Sequence, residues 1–406
     1  MSRGTFVGFG FGPIQAGLML CEAIESGNFD EYAVAEIDQR LVDAVRANSE
    51  SVSINIAGKS GIRTKVLAGI RLYNPKVPGD RAELAAAIRR SRELATAIPS
   101  VSFYGSGGDA SIAALLAGSV GPEAPRILYA AENNNFAAEI LQEALRERAP
   151  RERLSSLQIL NTVIGKMSGV ISSAEKMRRL GLAPLVPGFD RCVLVEEFNR
   201  ILISRIAIPG FRRGIRVFEE KDDLLPFEEA KLYGHNAIHA LLGYLARLRG
   251  YAAISEIRGD AELRGIGRRA FLEESGAALI RRHGGTGDPL FTEPGFAAYA
   301  DDLLERMTNP YLLDSVERII RDPVRKLGWN DRLFGTMRVA LEQGIVPRLM
   351  ALGAAAAISF ALESASPMSP REYLLSLWGT ESSGEQGDTC IRLVQEAMPL
   401  LQTWRK

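Results

Sequence analysis

The chain has 406 residues, 46% hydrophobic and 24% charged, and 49 basic side chains balance 49 acidic ones to a formal net charge of zero. That length calls for more than one hydrophobic core, and the neutral balance leaves no electrostatic bias toward nucleic acid or an anionic membrane, so the expected partners are small molecules. Cys21, Cys192 and Cys390 are widely spaced and form no C-x-x-C pair, which supports neither a disulfide framework nor a thiolate metal site and fits a reducing, cytoplasmic compartment.

The opening segment MSRGTFVGFGFGPIQAGLML places Arg3 before apolar residues, but glycines break it and it lacks a small-residue cleavage site, so it reads as mature structure. Within it, TFVGF is the first of several short β-rich runs; YAVAEI, SVSINI, SVSFYG and RILYAAE follow. Each precedes helical spacing or a helix start. This alternation predicts an α/β unit, a Rossmann-like doubly wound parallel sheet covered by helices on both faces.

VGFGFGPIQAGL follows the first strand and opens a helix, where backbone N–H groups and a positive helix end suit a dinucleotide's pyrophosphate. Gly10 and Gly12 supply the tight turn and close approach, and Pro13, Ile14 and Gln15 continue it, Gln15 standing at the third glycine position of G-x-G-x-x-G. Glu36 ends the second strand about 20 residues later, suited to accept from a ribose hydroxyl of NAD and to repel a 2′-phosphate. The same residues also suit a plain packing turn. A second glycine cluster, YGSGGDAS at 104–111, offers Asp109 or Ser111 as a helix cap and either edges the cofactor cleft or is a simple turn.

Around PLVPGFD, residues 184–190, Pro and Gly concentrate, and beyond it the pattern changes to long amphipathic segments such as AAISEIRGDAELRGIGRRAFLEESGAALIRR. The expected division is a nucleotide-binding domain over 1–190 and a mostly α-helical C-terminal domain over 191–406. LMALGAAAAISFAL falls short of the roughly 20 apolar residues that span a bilayer and reads as a buried helix. GTESSGEQGD reads as a surface loop, and there is no internal repeat.

In FEEAKLYGHNAIHALLGYLARLRGY, two of the three histidines accompany Lys231 and Asn236. On a regular helix His235, His239 and Asn236 lie about 40°, 80° and 140° round from Lys231, within one broad face. Taken singly each has an ordinary structural role. Together they meet two needs of alcohol–carbonyl chemistry, a group that moves the hydroxyl proton and dipoles that hold the oxygen as charge develops. Burial brings a lysine from its ordinary value of roughly 10.4 toward the range of a general base. The i, i+4 histidines lack the glutamate of H-E-x-x-H, so no metal is expected.

The same stretch, with LEESGAALIRRHG and NPYLLDSVERIIRDPVRKLGWNDRLFG, resembles the polyol-specific long-chain dehydrogenases, most closely the mannitol-1-phosphate 5-dehydrogenase branch, from residue 5 to about residue 360. The resemblance implies a Rossmann domain joined to a helical one and metal-free, NAD-linked interconversion of a sugar alcohol, or its phosphate, with a ketose. It sets Lys231 on the general acid/base, Asn236 on an oxygen-polarising amide and His239 on the substrate-orienting histidine. In AAENNNFAAEIL it makes Asn133 the second amide donor and Glu132 its cofactor-side neighbour. Arg325 and Lys326, with Arg321, would meet a substrate phosphate, Arg212 and Arg213 competing for that work, and His235 would touch substrate. The sequence departs from the family at Gln15, at Gly165 and Lys166 where Asp and Arg are expected, and at His235; Asp190, beside Arg191, is a substitute for the lost carboxylate. Rival readings are a hexuronate reductase, a free-mannitol dehydrogenase and a non-catalytic NAD-binding module. Nucleic acid and membrane are not expected as partners, and the protein would act as a monomer or small homo-oligomer.

Overall fold

Thr5–Phe9 form β1, a strand buried along its whole length, because it lies in the middle of a sheet covered on both faces and has no solvent side on which to alternate. The computed structural model describes residues 4–363, 368–379 and 384–404. After β1 come β2 (Glu31–Ala35), β3 (Val52–Ala57), β4 (Ile62–Leu67), β5 (Ile70–Tyr73), β6 (Ser91–Thr96) and β7 (Arg126–Ala130). β8 (Leu157–Val163), β9 (Ser168–Ile171), β10 (Cys192–Glu196), β11 (Leu202–Ser204) and β12 (Glu219–Lys221) complete the set.

Eight strands form one sheet in the order β12-β11-β8-β7-β6-β1-β2-β5. From β8 to β5 every pairing is parallel, while β11 joins β8 antiparallel. Taken by their order in the chain, those six parallel strands run 3-2-1-4-5-6 from β5 to β8, the doubly wound dinucleotide-binding arrangement. On one face Val7, Leu94 and Leu128 pack against helices Pro78–Arg90, Ile112–Ser119 and Ala137–Arg146. On the other, Phe6, Val34 and Tyr129 share a core with Leu18, Met19 and a second sheet, ordered β4-β3-β10-β9.

Several expectations are corrected. SVSFYG is not a strand: Val101–Phe103 form a single 3-10 turn, and the strand neighbouring β1 is the preceding SRELAT, β6. SVSINI is a strand, but it pairs with β4 and β10 in the second sheet. The expected boundary after residue 190 moves, because β10 pairs with β3 and β11 with β8, both in the first half. The chain divides instead into units Met1–Leu224 and Leu225–Lys406. Of GTESSGEQGD, residues 380–383 lie outside the described residues, and its end begins helix Glu385–Ala397.

The second unit is helical. Leu225–Glu229, Ala230–Asn236 and Ala237–Leu248 run on without a break, the middle segment widened to π geometry. Arg348–Leu362 contains the long apolar run and is buried from Met350 to Ile358. Among the described residues no helix is long and apolar enough to cross a membrane. At its amino end the Glu274 carboxylate accepts from Leu349 N at 2.7 Å and Met350 N at 2.8 Å, meeting free N–H groups and the positive end of the helix.

Burial pushes the Glu274 carboxyl up to about 7, although those two amides pull it down. A carboxylate raised in the folded state favours folding at low pH, and that contribution fades as pH rises from its unfolded value through about 7. The stability of the parent minus that of Glu274→Gln should therefore fall by on the order of 3 kcal/mol between about pH 4.5 and 7, measured by denaturant unfolding. A flat difference would contradict this.

Candidate functional site

In the first unit the carboxyl ends of β1, β2, β6 and β7 open into a cavity of about 930 Å³, its wall including Gly10, Gly12, Pro13, Ile14, Glu36, Glu132 and Asn133. This is the switch point of the sheet, where the strand order reverses about β1. Gly10 takes φ 82°, and a Cβ there would stand 2.8 Å from the Ala97 carbonyl oxygen, so both its conformation and its space require glycine. The Glu36 carboxylate accepts from Phe11 N at 3.0 Å and Asp38 N at 2.8 Å, tying the glycine loop to the end of β2. Each carboxylate oxygen keeps a second lone pair for a ligand hydroxyl.

Gln15 is placed elsewhere. Its side chain is fully buried, absent from the cavity wall, and lies against Gly8 of β1, where an added Cβ would come within 2.3 Å of the amide nitrogen. The motif glycine that lets a helix approach its strand has in effect moved across the contact, from the helix to the strand. Among the described residues neither amide atom of Gln15 has a hydrogen-bond partner.

Glu132 lines the cavity, but its carboxylate is engaged behind it: Thr96 Oγ1 donates at 2.8 Å, Ile98 N at 3.0 Å, and the Tyr104 hydroxyl donates as well. Burial raises its pKa against these three donors. The effect is to lock the ends of β6 and β7 together beneath Asn133. The second glycine cluster does edge the cavity through Ser106, Gly107 and Ser111, and Ser111 rather than Asp109 caps helix Ile112–Ser119, accepting from Ala114 N at 3.2 Å. Asp38 and Arg191, which the motif reading left out of the cofactor set, also line the cavity and pair at 3.1 Å. Asp190, offered as the substitute carboxylate, is 63% exposed and pairs with Arg40. Lys166 donates to the Phe198 carbonyl at 2.6 Å.

In the second unit Lys231, His235 and Asn236 all lie in the widened turn and His239 one turn later. A π turn breaks the regular i to i−4 pattern, and the Tyr233 carbonyl accepts from the Ser275 hydroxyl at 2.7 Å, with the Thr336 hydroxyl 3.2 Å away and donating more closely to the Arg332 carbonyl at 2.6 Å. The regular-helix angles among these side chains therefore do not carry over, and with fewer degrees per residue Asn236 lies nearer the face of Lys231. Burial lowers Lys231 to about 8, with Glu228 opposing and Arg332 reinforcing the shift. His235 is driven well below its ordinary value, chiefly by burial and then by His239, Arg306, Lys231 and Arg332, so it is a neutral imidazole. His239 Nε2 lies 3.3 Å from Asp314 Oδ2, and the third histidine, His283, meets Glu229 at 2.7 Å.

The two cations assigned to a phosphate each have partners within the protein. Lys326 is buried and donates to the Arg321 and Asp322 carbonyls, closing the end of helix Val316–Ile320; burial, with Arg332 and Arg325 nearby, lowers it to about 8. Arg325 is exposed and pairs with Asp322 at 3.2 Å. Arg213 is tied to the Ile215 and Phe218 carbonyls of its own loop. Arg332, whose charge reaches both Lys231 and His235, is the cation that sequence reasoning passed over; its only sequence signal was its place in the quoted NDRLFG stretch.

A doubly wound nucleotide-type unit followed by a helical unit that carries a half-buried lysine defines the class. The helical part then narrows it: residues 223–378 match the mannitol dehydrogenase C-terminal domain family. Mannitol 2-dehydrogenase of Pseudomonas fluorescens, solved in a ternary complex with NAD and D-mannitol, superposes with a TM-score of 0.70 at 15% identity, over 99% of this chain and 92% of its own. A D-sorbitol dehydrogenase in substrate-free form gives 0.73 at 15% identity, over 98% and 92%. At this identity the structural likeness is one of fold, and with the family match it bears out the resemblance to the polyol dehydrogenases.

Because Gln15 buries an unpaired amide, an apolar side chain of similar length should be better tolerated there than the native one. Gln15→Met is expected to stabilise the protein by about 1–3 kcal/mol in denaturant unfolding. Destabilisation by a similar amount would mean the amide is satisfied.

Proposed function

We propose that the protein is a metal-independent, NAD-dependent dehydrogenase interconverting a sugar alcohol and the corresponding ketose, with Lys231 as general acid/base. The observation that carries this reading is the lysine itself: an amine lowered to about 8 by burial, on a widened helical turn with a neutral histidine beside it. Such a group exchanges protons near neutral pH, as a general base must.

The first unit's cavity suits a dinucleotide in size and in chemistry. It combines a glycine whose Cβ would collide with backbone, a helix start at Pro13 and Ile14, and an acid at the end of β2. Gly10, Gly12, Pro13 and Ile14 would hold the pyrophosphate and Glu36 a ribose hydroxyl, as expected for NAD. When bound, NAD supplies the hydride acceptor. In the oxidation direction the neutral Lys231 amine takes the hydroxyl proton, and Asn133 and Asn236 are assigned the amide dipoles that hold the oxygen as its charge grows. His239 fixes the polyol's other hydroxyls. The mannitol 2-dehydrogenase that shares this fold was solved with NAD and D-mannitol, which agrees with the assignment.

With Lys326 spent on a helix end and Arg325 on a surface pair, the free polyol is favoured over its phosphate. A phosphate or uronate would have to rely on Arg332 and a second cation. A panel of hexitols, hexitol phosphates and hexuronates with NAD or NADH separates these substrates.

Lys231→Ala should keep its affinity for NAD and lose about 10²–10⁴-fold in kcat. In the parent, kcat/KM for polyol oxidation should climb with pH and level off above about 8, as the ammonium gives way to the free amine. Turnover retained in the variant would remove Lys231 from the mechanism.

A further inference from the structure

One carboxylate of the second unit belongs to none of the roles assigned so far. Asp314 is 7% exposed, and its Oδ1 accepts from Arg318 Nε at 2.7 Å. Its Oδ2 and His239 Nε2 are both fully buried and lie 3.3 Å apart, and among the described residues neither makes a hydrogen bond of good geometry to any atom, the other included. Buried polar atoms need a partner, the nearest charged neighbour of His239 Nε2 is this oxygen, and an ionised carboxylate can only accept, so a small turn of the ring that satisfies both atoms puts the proton on Nε2. Although burial pushes the Asp314 carboxyl up, His239 and Arg318 hold it down at about 2, so the acceptor is an ionised one.

The backbone there is held as firmly as the side chain. Ile254 N donates to the Asp314 carbonyl at 3.1 Å, and Ala253 and Ser315 form an isolated antiparallel bridge on either side of that bond. Leu313, just before it, sits at φ 56°, a left-handed conformation unfavourable for a branched side chain. A strained residue that persists because its surroundings over-determine it is commonly found where a neighbour must be aimed. His239 keeps 17% of its side-chain surface open while Nε2 keeps none, which leaves Nδ1 as the ring nitrogen able to meet a ligand.

We infer that Asp314 is a positioning residue that fixes His239 as the tautomer protonated on Nε2, so that Nδ1 is presented to a substrate hydroxyl as a hydrogen-bond acceptor. The inference rests on the polyol dehydrogenase reading of this site. It gives His239 a definite polarity: it receives a hydroxyl proton's hydrogen bond and does not donate one. A ligand group with no O–H at that position, such as a keto oxygen or an ether, would leave Nδ1 unpaired, so the dyad selects for a free hydroxyl at the position it meets.

The test uses the full chain labelled with ¹⁵N-histidine, whose three histidines give separable ring signals, with His239→Gln identifying the relevant one. At about pH 9, where an ordinary imidazole is neutral, the parent should show His239 protonated on Nε2 and bare at Nδ1. In Asp314→Asn that preference should be lost, with KM for the hexitol raised about tenfold and KM for NAD unchanged. In a His239→Gln background the same substitution should add less than about twofold, because the effect passes through the ring. A proton on Nδ1 or on both nitrogens in the parent overturns the inference, and so does a full additive loss in the double variant. Should Asp314→Asn fail to fold, the spectrum of the parent still decides. The correct tautomer without turnover of any polyol would sink the functional reading and leave the Asp314–His239 coupling standing.

Discussion

The removal of water from one amine is the constraint on which the candidate site depends. A lysine ammonium is strongly hydrated, and burial penalises its charged form before any neighbour is counted. Around Lys231 the neighbours do not cancel that penalty: Glu228 favours the charge, Arg332 opposes it, and the balance settles at about 8. Lys326 in the same unit reaches a similar value by burial while its ammonium donates to two backbone carbonyls.

The local backbone serves the same end. The widened turn at Ala230–Asn236 departs from regular helix geometry, and the Ser275 hydroxyl supports that departure by donating to the Tyr233 carbonyl at 2.7 Å. Ser275 itself lies in another π segment, Ala270–Gly276, whose Glu274 caps helix Arg348–Leu362. Turn, cap and buried helix therefore support one another. In the first unit the comparable device is Glu132, whose three donors join the ends of β6 and β7 at the cavity rim.

Much of this was legible in the sequence where local pattern and tertiary demand agree. TFVGF and RILYA are continuous apolar runs, as strands buried on both faces must be, and the glycine loop between a strand and a helix declares its place. SRELAT escaped because it follows thirteen helical residues without a Gly or Pro to mark the change, and its own alanine, leucine and arginine suit a helix. SVSFYG misled in the other direction, its valine and aromatics suggesting a strand where the chain only turns toward the cavity rim. The Pro-Gly cluster at 184–190 is real punctuation, but long-range pairing of β10 with β3 carries the first unit past it. For the site, the spacing of Lys231, Asn236 and His239 was visible. Asp314 and Arg332 were not singled out, since each stands in a charge-rich stretch that reads as solvated surface until the fold buries it. Local sequence likewise does not say that Lys326 closes a helix end while Arg325 pairs at the surface.

The most direct test of the account is the protonation of Lys231 itself, followed as the pH dependence of its acylation by a small amine-specific reagent and read by peptide mass spectrometry. The account predicts a midpoint near 8, with surface lysines of the same sample titrating in the ordinary range. A midpoint near 10.5 would mean that the ammonium keeps its hydration, and the proposed base would be lost with it.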